Sequence, residues 1–105
     1  MTDLELLRRL CELRGAGTKA CLATVVETEG STPRDAGAKM IVTLDGSILG
    51  TIGGGCGEGR VRTAAVRCLA AAGEPELLEI DLTPSSGGGD ADVCGGKMRV
   101  LLEPF

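Results

Sequence analysis

The densest chemistry in the sequence lies in Gly53-Gly54-Gly55-Cys56-Gly57-Glu58-Gly59, between an apolar run ending at Ile52 and a helical pattern that is clear from Val61. Backbone N–H groups of a glycine turn and of a first helical turn point outward without intrahelical partners. With the helix dipole they make an anion site suited to phosphate. Nucleotide fingerprints do not fit. GxGxxG finds no third glycine in register. The phosphate loop GxxxxGK[ST] begins well at Gly50 and Gly55, but Cys56 and Gly57 stand where Lys and Ser/Thr are required. The pattern argues against a mononucleotide triphosphatase. The other reading of these glycines is steric, a tight turn that packs helix on sheet.

Cys56 is the most pointed residue of the segment. A thiol at a helix N-terminus gains thiolate character, and glycine neighbours give it little cover. Cys94, in Asp92-Val93-Cys94-Gly95-Gly96, has a similar setting. Cys11 and Cys68 fall on apolar helical stripes and Cys21 in an apolar run, so these three are expected to pack in the core. Arg34, in Ser31-Thr32-Pro33-Arg34, suits phosphate or a planar polar group, and Ser31 and Thr32 add donors. Glu58 reads either as a general base or hydrogen-bond partner, or as a first-turn carboxylate facing the helix dipole. Asp90 and Asp92 read as solvated loop residues rather than metal ligands, since the chain has no histidine.

Composition narrows the classes. The 105 residues fit one domain. Phe105 is the only aromatic residue, so the core must be built from Leu, Ile, Val, Ala, Met and Cys. The 17 glycines cluster at 53–59, 87–89 and 95–96 instead of spreading as in a linker. A net charge of −4 without a basic stripe or stacking aromatics argues against nucleic-acid binding. No apolar run reaches membrane-helix length, and MTDLELLRRL lacks the layout of a signal peptide. A cytoplasmic setting with reduced thiols is expected. The five cysteines make no CxxC pair, which argues against disulfide frameworks and iron–sulfur sites.

The positioning elements follow from periodicity. Thr2-Asp3-Leu4-Glu5 resembles a capping box, and Leu4, Leu7, Leu10 and Cys11 mark the inward stripe of a helix over 3–14. Residues 20–26 read as a strand buried on both faces, and 28–37 as a turn-rich loop. Met40, Val42 and Leu44 alternate with Lys39, Ile41 and Thr43. Asp45-Gly46 then signals a two-residue hairpin turn to a return strand over 48–52. Val61, Ala64, Ala65, Cys68, Leu69 and Ala72 define a second helix, capped by Gly73 and stopped by Pro75. Two final strands carry Leu78, Ile80, Leu82 and Met98, Val100, Leu102. Their alternate residues Glu79, Asp81, Lys97 and Arg99 offer cross-strand charge pairs. The order predicts an α+β domain: a mostly antiparallel sheet of about five strands with two helices.

The segments GSTPRDAGAKMIVTLDGSILGTIGGGCGEGRV (30–61) and CGGKMRVLLEP (94–104) closely resemble the XdhC/CoxI family, accessory proteins of xanthine dehydrogenase and carbon monoxide dehydrogenase. The resemblance implies an accessory chaperone, not an enzyme with its own turnover. Such a protein binds the molybdenum–pterin cofactor (molybdopterin), protects it during sulfuration and inserts it into an apo molybdenum hydroxylase large subunit. The resemblance carries over Cys56 as a cofactor contact; with the glycines, donors and second thiol read above, the expected cofactor site is Ser31, Thr32, Arg34, Gly53, Gly54, Gly55, Cys56, Glu58 and Cys94. In that site Cys56 is expected to meet molybdenum, its sulfur or the pterin phosphate, and a hydrogen bond to a pterin amide edge is one reading of Glu58. Longer members continue into a Rossmann-type domain, which this sequence lacks. Residues 1–105 are therefore expected to be the cofactor-binding domain, with a homodimer, a separate Rossmann-domain chain and a cysteine desulfurase among its partners. The other readings are a thiol-dependent redox enzyme using Cys56 and Cys94, or a non-catalytic module bridging a Rossmann-domain partner and the dehydrogenase.

Overall fold

The first helix starts where its cap falls. In the computed structural model, which describes residues 1–30, 35–53, 55–71, 73–82 and 96–105 (without the side chains of Gly55 and Cys56), the Thr2 hydroxyl accepts the Glu5 N–H at 3.2 Å. Helix α1 then runs Asp3–Gly15, with Asp3 and Glu5 in its first turn and Arg14 in its last, each charge complementing the dipole. Its inward stripe keeps only Leu10 of the four residues expected there. Leu6 and Leu10 are buried and Leu13 packs beside them, whereas Leu4, Leu7 and Cys11 are exposed. A helix this rich in leucine offers two stripes of equal spacing, and 6-10-13 is the one that meets the sheet. Cys11 is therefore a surface thiol, not a core residue.

Five strands follow: β1 (Ala20–Glu29), β2 (Lys39–Thr43), β3 (Ile48–Gly50), β4 (Glu76–Asp81) and β5 (Lys97–Pro104), with helix α2 (Gly55–Ala70) between β3 and β4. They form one sheet in the order β3-β2-β1-β5-β4, every neighbouring pair antiparallel. The expected α+β architecture of two helices and five strands is what the chain adopts.

The sheet lies between the helices. On one face α2 covers Cys21, Ala23, Val25, Met40, Val42 and Val100. On the other, α1 covers Ala20, Leu22 and Ile41. Two-sided cover explains why β1 is apolar from Ala20 to Val25 but for Thr24. It also explains why Ile41, expected on an outward face, is fully buried. Leu44 goes the other way: expected inward, it stands exposed at the hairpin. Each fully buried aliphatic side chain contributes about 1.5–3 kcal/mol, enough to build a core without an aromatic ring. Val61, Ala64, Ala65, Cys68 and Leu69 form the inner side of α2, as their spacing indicates.

Three boundaries move, the first being β3, which ends at Gly50 and leaves Thr51 and Ile52 beyond the strand. β1 runs on to Glu29, into the expected loop, because Glu27, Thr28 and Glu29 pair with Arg99, Met98 and Lys97 beyond a bulge after Val25. The β2–β3 hairpin turns over Leu44-Asp45-Gly46, one residue longer than expected. Gly46 N–H donates to Thr43 O at 2.9 Å, Thr43 N–H donates to Ser47 O at 3.0 Å, and Gly46 takes φ +87°. The Thr43 hydroxyl and Ser47 N–H hold the Asp45 carboxyl below its ordinary pKa. Arg62 Nε donates to Gly46 O at 2.8 Å and ties α2 to this hairpin.

Candidate functional site

Strand direction decides where the chemistry collects. Because neighbours alternate, the C-terminal ends of β1, β3 and β4 and the N-terminal ends of β2 and β5 share one end of the sheet. Thr24 pairs with Lys39, Met40 with Gly50, and Lys97 with both Glu29 and Asp81. The segments leaving Gly30, Ile52 and Leu82 therefore start from this end. They are the segments that hold the predicted site residues.

The start of α2 belongs to the same end. A Cβ on Gly57 would meet the Met98 methyl at 3.0 Å and Leu82 Cδ2 at 3.5 Å, so the first turn of α2 lies directly against the β4 and β5 ends. Arg60 donates to the Asp81 carbonyl at 3.0 Å and fixes the next turn there. The glycine cluster thus has two structural parts. Gly53 takes φ +123° in the turn, and Gly55 and Gly57 already lie in the helix. Cys56 is the second residue of α2.

Glu58 reaches back over the helix start. Its carboxylate accepts the Thr51 hydroxyl at 2.6 Å and the Ile52 N–H at 3.4 Å, while Thr51 Oγ1 accepts the Gly53 N–H at 3.0 Å. This clasp shapes the turn between Gly50 and α2. Thr51 was absent from the sequence-derived site, and its only signal is its place between Gly50 and the glycines. Lys39 is a second residue the sequence did not mark. Its ammonium donates to Asp3 Oδ2 at 3.1 Å and Gly37 O at 3.0 Å, pinning the start of α1 to this end. Ser31, Thr32, Arg34, Gly54 and Cys94 lie outside the described residues.

Two clefts flank this end. One of about 510 Å³ is lined by Asp3, Asp35, Lys39, Gly50 and Thr51. The other, about 370 Å³, lies at the β1–β5–β4 tips and is lined by Glu27, Glu29, Asp81, Lys97, Met98 and Arg99. Arg99 Nε bonds Glu79 at 3.1 Å and stands 4.0 Å from Glu27, realising the expected cross-strand charges. Among the described residues no group of His, Cys, Asp and Glu is arranged to hold a metal ion, and no helix is long and apolar enough to cross a membrane.

The two buried thiols are structural. Burial raises the Cys21 pKa to about 12, with the neighbouring Cys68 adding to the shift. Cys68, also raised chiefly by burial, donates its S–H to the Glu74 carbonyl at 3.1 Å.

Comparison with known proteins agrees with this fold. The XdhC and CoxI family matches residues 13–81, a span that includes the glycine turn and α2. The Escherichia coli K12 protein named molybdenum cofactor insertion chaperone PaoD is 35% identical over 98 residues, covering 92% of this chain and 30% of PaoD. YqeB of the same strain, an uncharacterized protein, is 37% identical over 81 residues, 77% of this chain and 15% of YqeB. A crystal structure described as a xanthine dehydrogenase from Bacillus halodurans superposes with a TM-score of 0.81 at 33% identity, covering 99% of this chain and 30% of that one. The chain spans less than a third of the length of each of these proteins. By the family match and by relatedness over most of its own length, the chain belongs to the XdhC and CoxI family.

Proposed function

We propose that this chain is the cofactor-binding domain of an accessory protein that carries the molybdenum–pterin cofactor to an apo molybdenum hydroxylase such as xanthine dehydrogenase. The observation that carries this reading is the gathering, at one end of the sheet, of the α2 N-terminus with the strand ends that lead into the 31–37 and 83–95 segments. The name of PaoD, which ties a relative to cofactor insertion, supports it.

The cofactor presents a phosphate, a polar pterin and a soft metal with sulfur ligands. The residues present fit those demands. Gly53, Gly54 and Gly55 keep side chains away from a helix N-terminus that favours phosphate. Cys56 supplies a soft sulfur ligand or contact in the first turn. Ser31, Thr32 and Arg34 supply donors for the pterin or phosphate, and Cys94 a second thiol. Glu58 we assign to holding the turn through Thr51 and Ile52, which leaves recognition of the pterin edge to the other donors. A carrier of this kind works in the cytoplasm, with the hydroxylase large subunit as client, a cysteine desulfurase as sulfur source and a Rossmann-type domain as companion.

The test is to purify the protein from cells that make the cofactor, oxidise the extract and read pterin fluorescence. Expected are pterin in stoichiometric amount, its loss in Gly55→Val with the fold retained, and activation of cofactor-free dehydrogenase by the loaded protein. Cys56→Ala should reduce that activation. Substrate oxidation by the purified domain alone, or loaded protein that never activates an apoenzyme, overturns the carrier reading.

A further inference from the structure

The sheet ends on two unlike edges. β3, at one side, has three residues, and its hairpin is tied down by Arg62. β4, at the other, runs for six residues with no strand beyond it among the described residues. The ladder fixes which of its backbone groups are left over. Leu82 N–H donates to Gly96 O at 2.7 Å, and the register sets Ile80 opposite Met98 and Leu78 opposite Val100. Along an antiparallel strand successive residues turn their backbone groups to opposite sides. The even-numbered residues of β4 therefore turn to β5, and the odd-numbered ones turn N–H and C=O away from the sheet. The Asp81 carbonyl obeys this rule, since it accepts from Arg60 on the outer side. The N–H and C=O of Leu77 and Glu79 face outward in the same way, and among the described residues they have no backbone partner there.

A groove follows this edge. α2 and β4 lie side by side in opposite directions: Arg60 holds Asp81 at one end, and Cys68 donates to Glu74 at the other. Between them is a cleft of about 530 Å³, lined by Arg60, Thr63, Ala64 and Arg67 of α2 and by Leu78 and Ile80 of β4. The short side chains of Thr63 and Ala64 leave room over Leu78, which is half-buried. Arg60 and Arg67 stand two helical turns apart, about 10.5 Å along the axis. Both are exposed, and Arg67 makes no hydrogen bond or ion pair among the described residues. The groove thus has an apolar middle between two cationic ends.

We propose that the β4 edge docks an extended segment of another protein, which adds a sixth strand to the sheet and lays an aliphatic side chain over Leu78 with a carboxylate on each side of it, one for Arg60 and one for Arg67. Main-chain bonds to Leu77 and Glu79 supply affinity, and the alternate side chains supply selectivity. Carboxylates two residues either side of the aliphatic one lie about 13 Å apart on a strand, within reach of the two flexible arginines. The intervening side chains fall on the opposite face of the sheet, where the exposed Glu79 favours lysine. A second copy of this chain is a poor occupant. Pairing β4 with β4 brings Glu76, Glu79 and Asp81 of one strand beside the same carboxylates of the other.

The probe is a capped heptapeptide, Thr-Glu-Lys-Val-Lys-Glu-Thr, and the control is Thr-Lys-Glu-Val-Glu-Lys-Thr, which swaps the charges. Both are palindromes, so each presents one pattern whichever way it runs. Titration into the full chain is followed by amide NMR, with circular dichroism as the check on folding. The first peptide is expected to shift the Leu77 and Glu79 N–H signals most and to protect both amides from hydrogen exchange. The control should bind at least about fivefold more weakly, as two exposed charge pairs turned repulsive would require. Arg67→Glu, at an exposed helical position, should abolish the preference between the two peptides while leaving the fold intact. No shift at Leu77 and Glu79 at high peptide concentration overturns the proposal. So does binding that protects neither amide, or that keeps the same preference in Arg67→Glu. Protection of the two amides in the free chain that is lost on dilution also overturns it, because a second copy would then fill the edge.

Discussion

The substitution Gly50→Ala tests how the glycine-rich entry to the site is held. Gly50 takes φ +79°, a conformation that costs an L-residue roughly 1–2 kcal/mol. The added Cβ would also stand 2.9 Å from the Lys39 carbonyl oxygen and 3.0 and 3.1 Å from the Leu6 methyls. The carbonyl belongs to the β2 ladder and Leu6 is buried, so neither withdraws freely. Relieving that contact costs a further ~1–3 kcal/mol. The sum, about 2–5 kcal/mol, is a large part of the 5–15 kcal/mol typical of a domain, and corresponds to a fall in Tm of roughly 10–20 °C. Urea unfolding followed by far-ultraviolet circular dichroism measures it. The matched control is Gly59→Ala, on α2, where an added Cβ meets nothing within 4 Å. Alanine there should stabilise by about 0.5–1 kcal/mol through helix propensity alone. A Gly50→Ala protein within about 0.5 kcal/mol of wild type would refute the reasoning, since neither the backbone strain nor the contact would then be real.

Three further outcomes are expected. Glu58→Ala and Thr51→Val should each destabilise by about 1–3 kcal/mol, and the double variant by less than their sum, because both remove one clasp; urea melts of the three variants check this. Cys21 has a folded pKa of about 12 against an ordinary 9.0, so its folded state binds the proton more tightly. Its contribution is full below about pH 9 and is lost, at up to about 1.4 kcal/mol per pH unit, as pH rises toward 12. Stability measured against pH should show that alkaline fall, and Cys21→Val should flatten it. Under native conditions a thiol reagent should label Cys11 rapidly while Cys21 reacts only on unfolding, read by mass spectrometry of the labelled peptides.

Much of this fold was legible because its signals are local. The Thr2 cap, the Asp45-Gly46 turn, the alternation in β4 and β5 and the small-residue stripe of α2 each need only a few neighbouring residues. What the sequence withheld depends on contacts between distant segments. Nothing local distinguishes the 4-7-11 stripe of α1 from 6-10-13, and the sheet makes that choice. Nothing local says that Ile41 will lie under α1, or that Glu27 to Glu29 will find strand partners 70 residues later. The glycine cluster and Cys56 stood out by composition, and the fold gives them a helix start. Thr51 and Lys39 did not stand out, because their value comes from Glu58 and Asp3, each brought back by the fold.

The order of the strands also sets when the site can exist. β1, near the start of the chain, is the middle of the sheet, and its partner on one side is β5, so Cys21 pairs with Pro104. A sheet with such long-range pairing folds slowly compared with one built from neighbouring hairpins. During synthesis, the α1–β1–β2–β3 half can gather, but β4 has no place to pair until β5 has emerged. Leu82 and Met98, the ground on which Gly57 rests, arrive with those last two strands. At translation speeds of about 5–20 residues per second, the nascent chain spends several seconds with its glycine turn made and its floor unmade. A ligand that recognises the assembled end of this sheet can therefore distinguish a finished domain from an unfinished one, and engagement would begin only after release of the final strand.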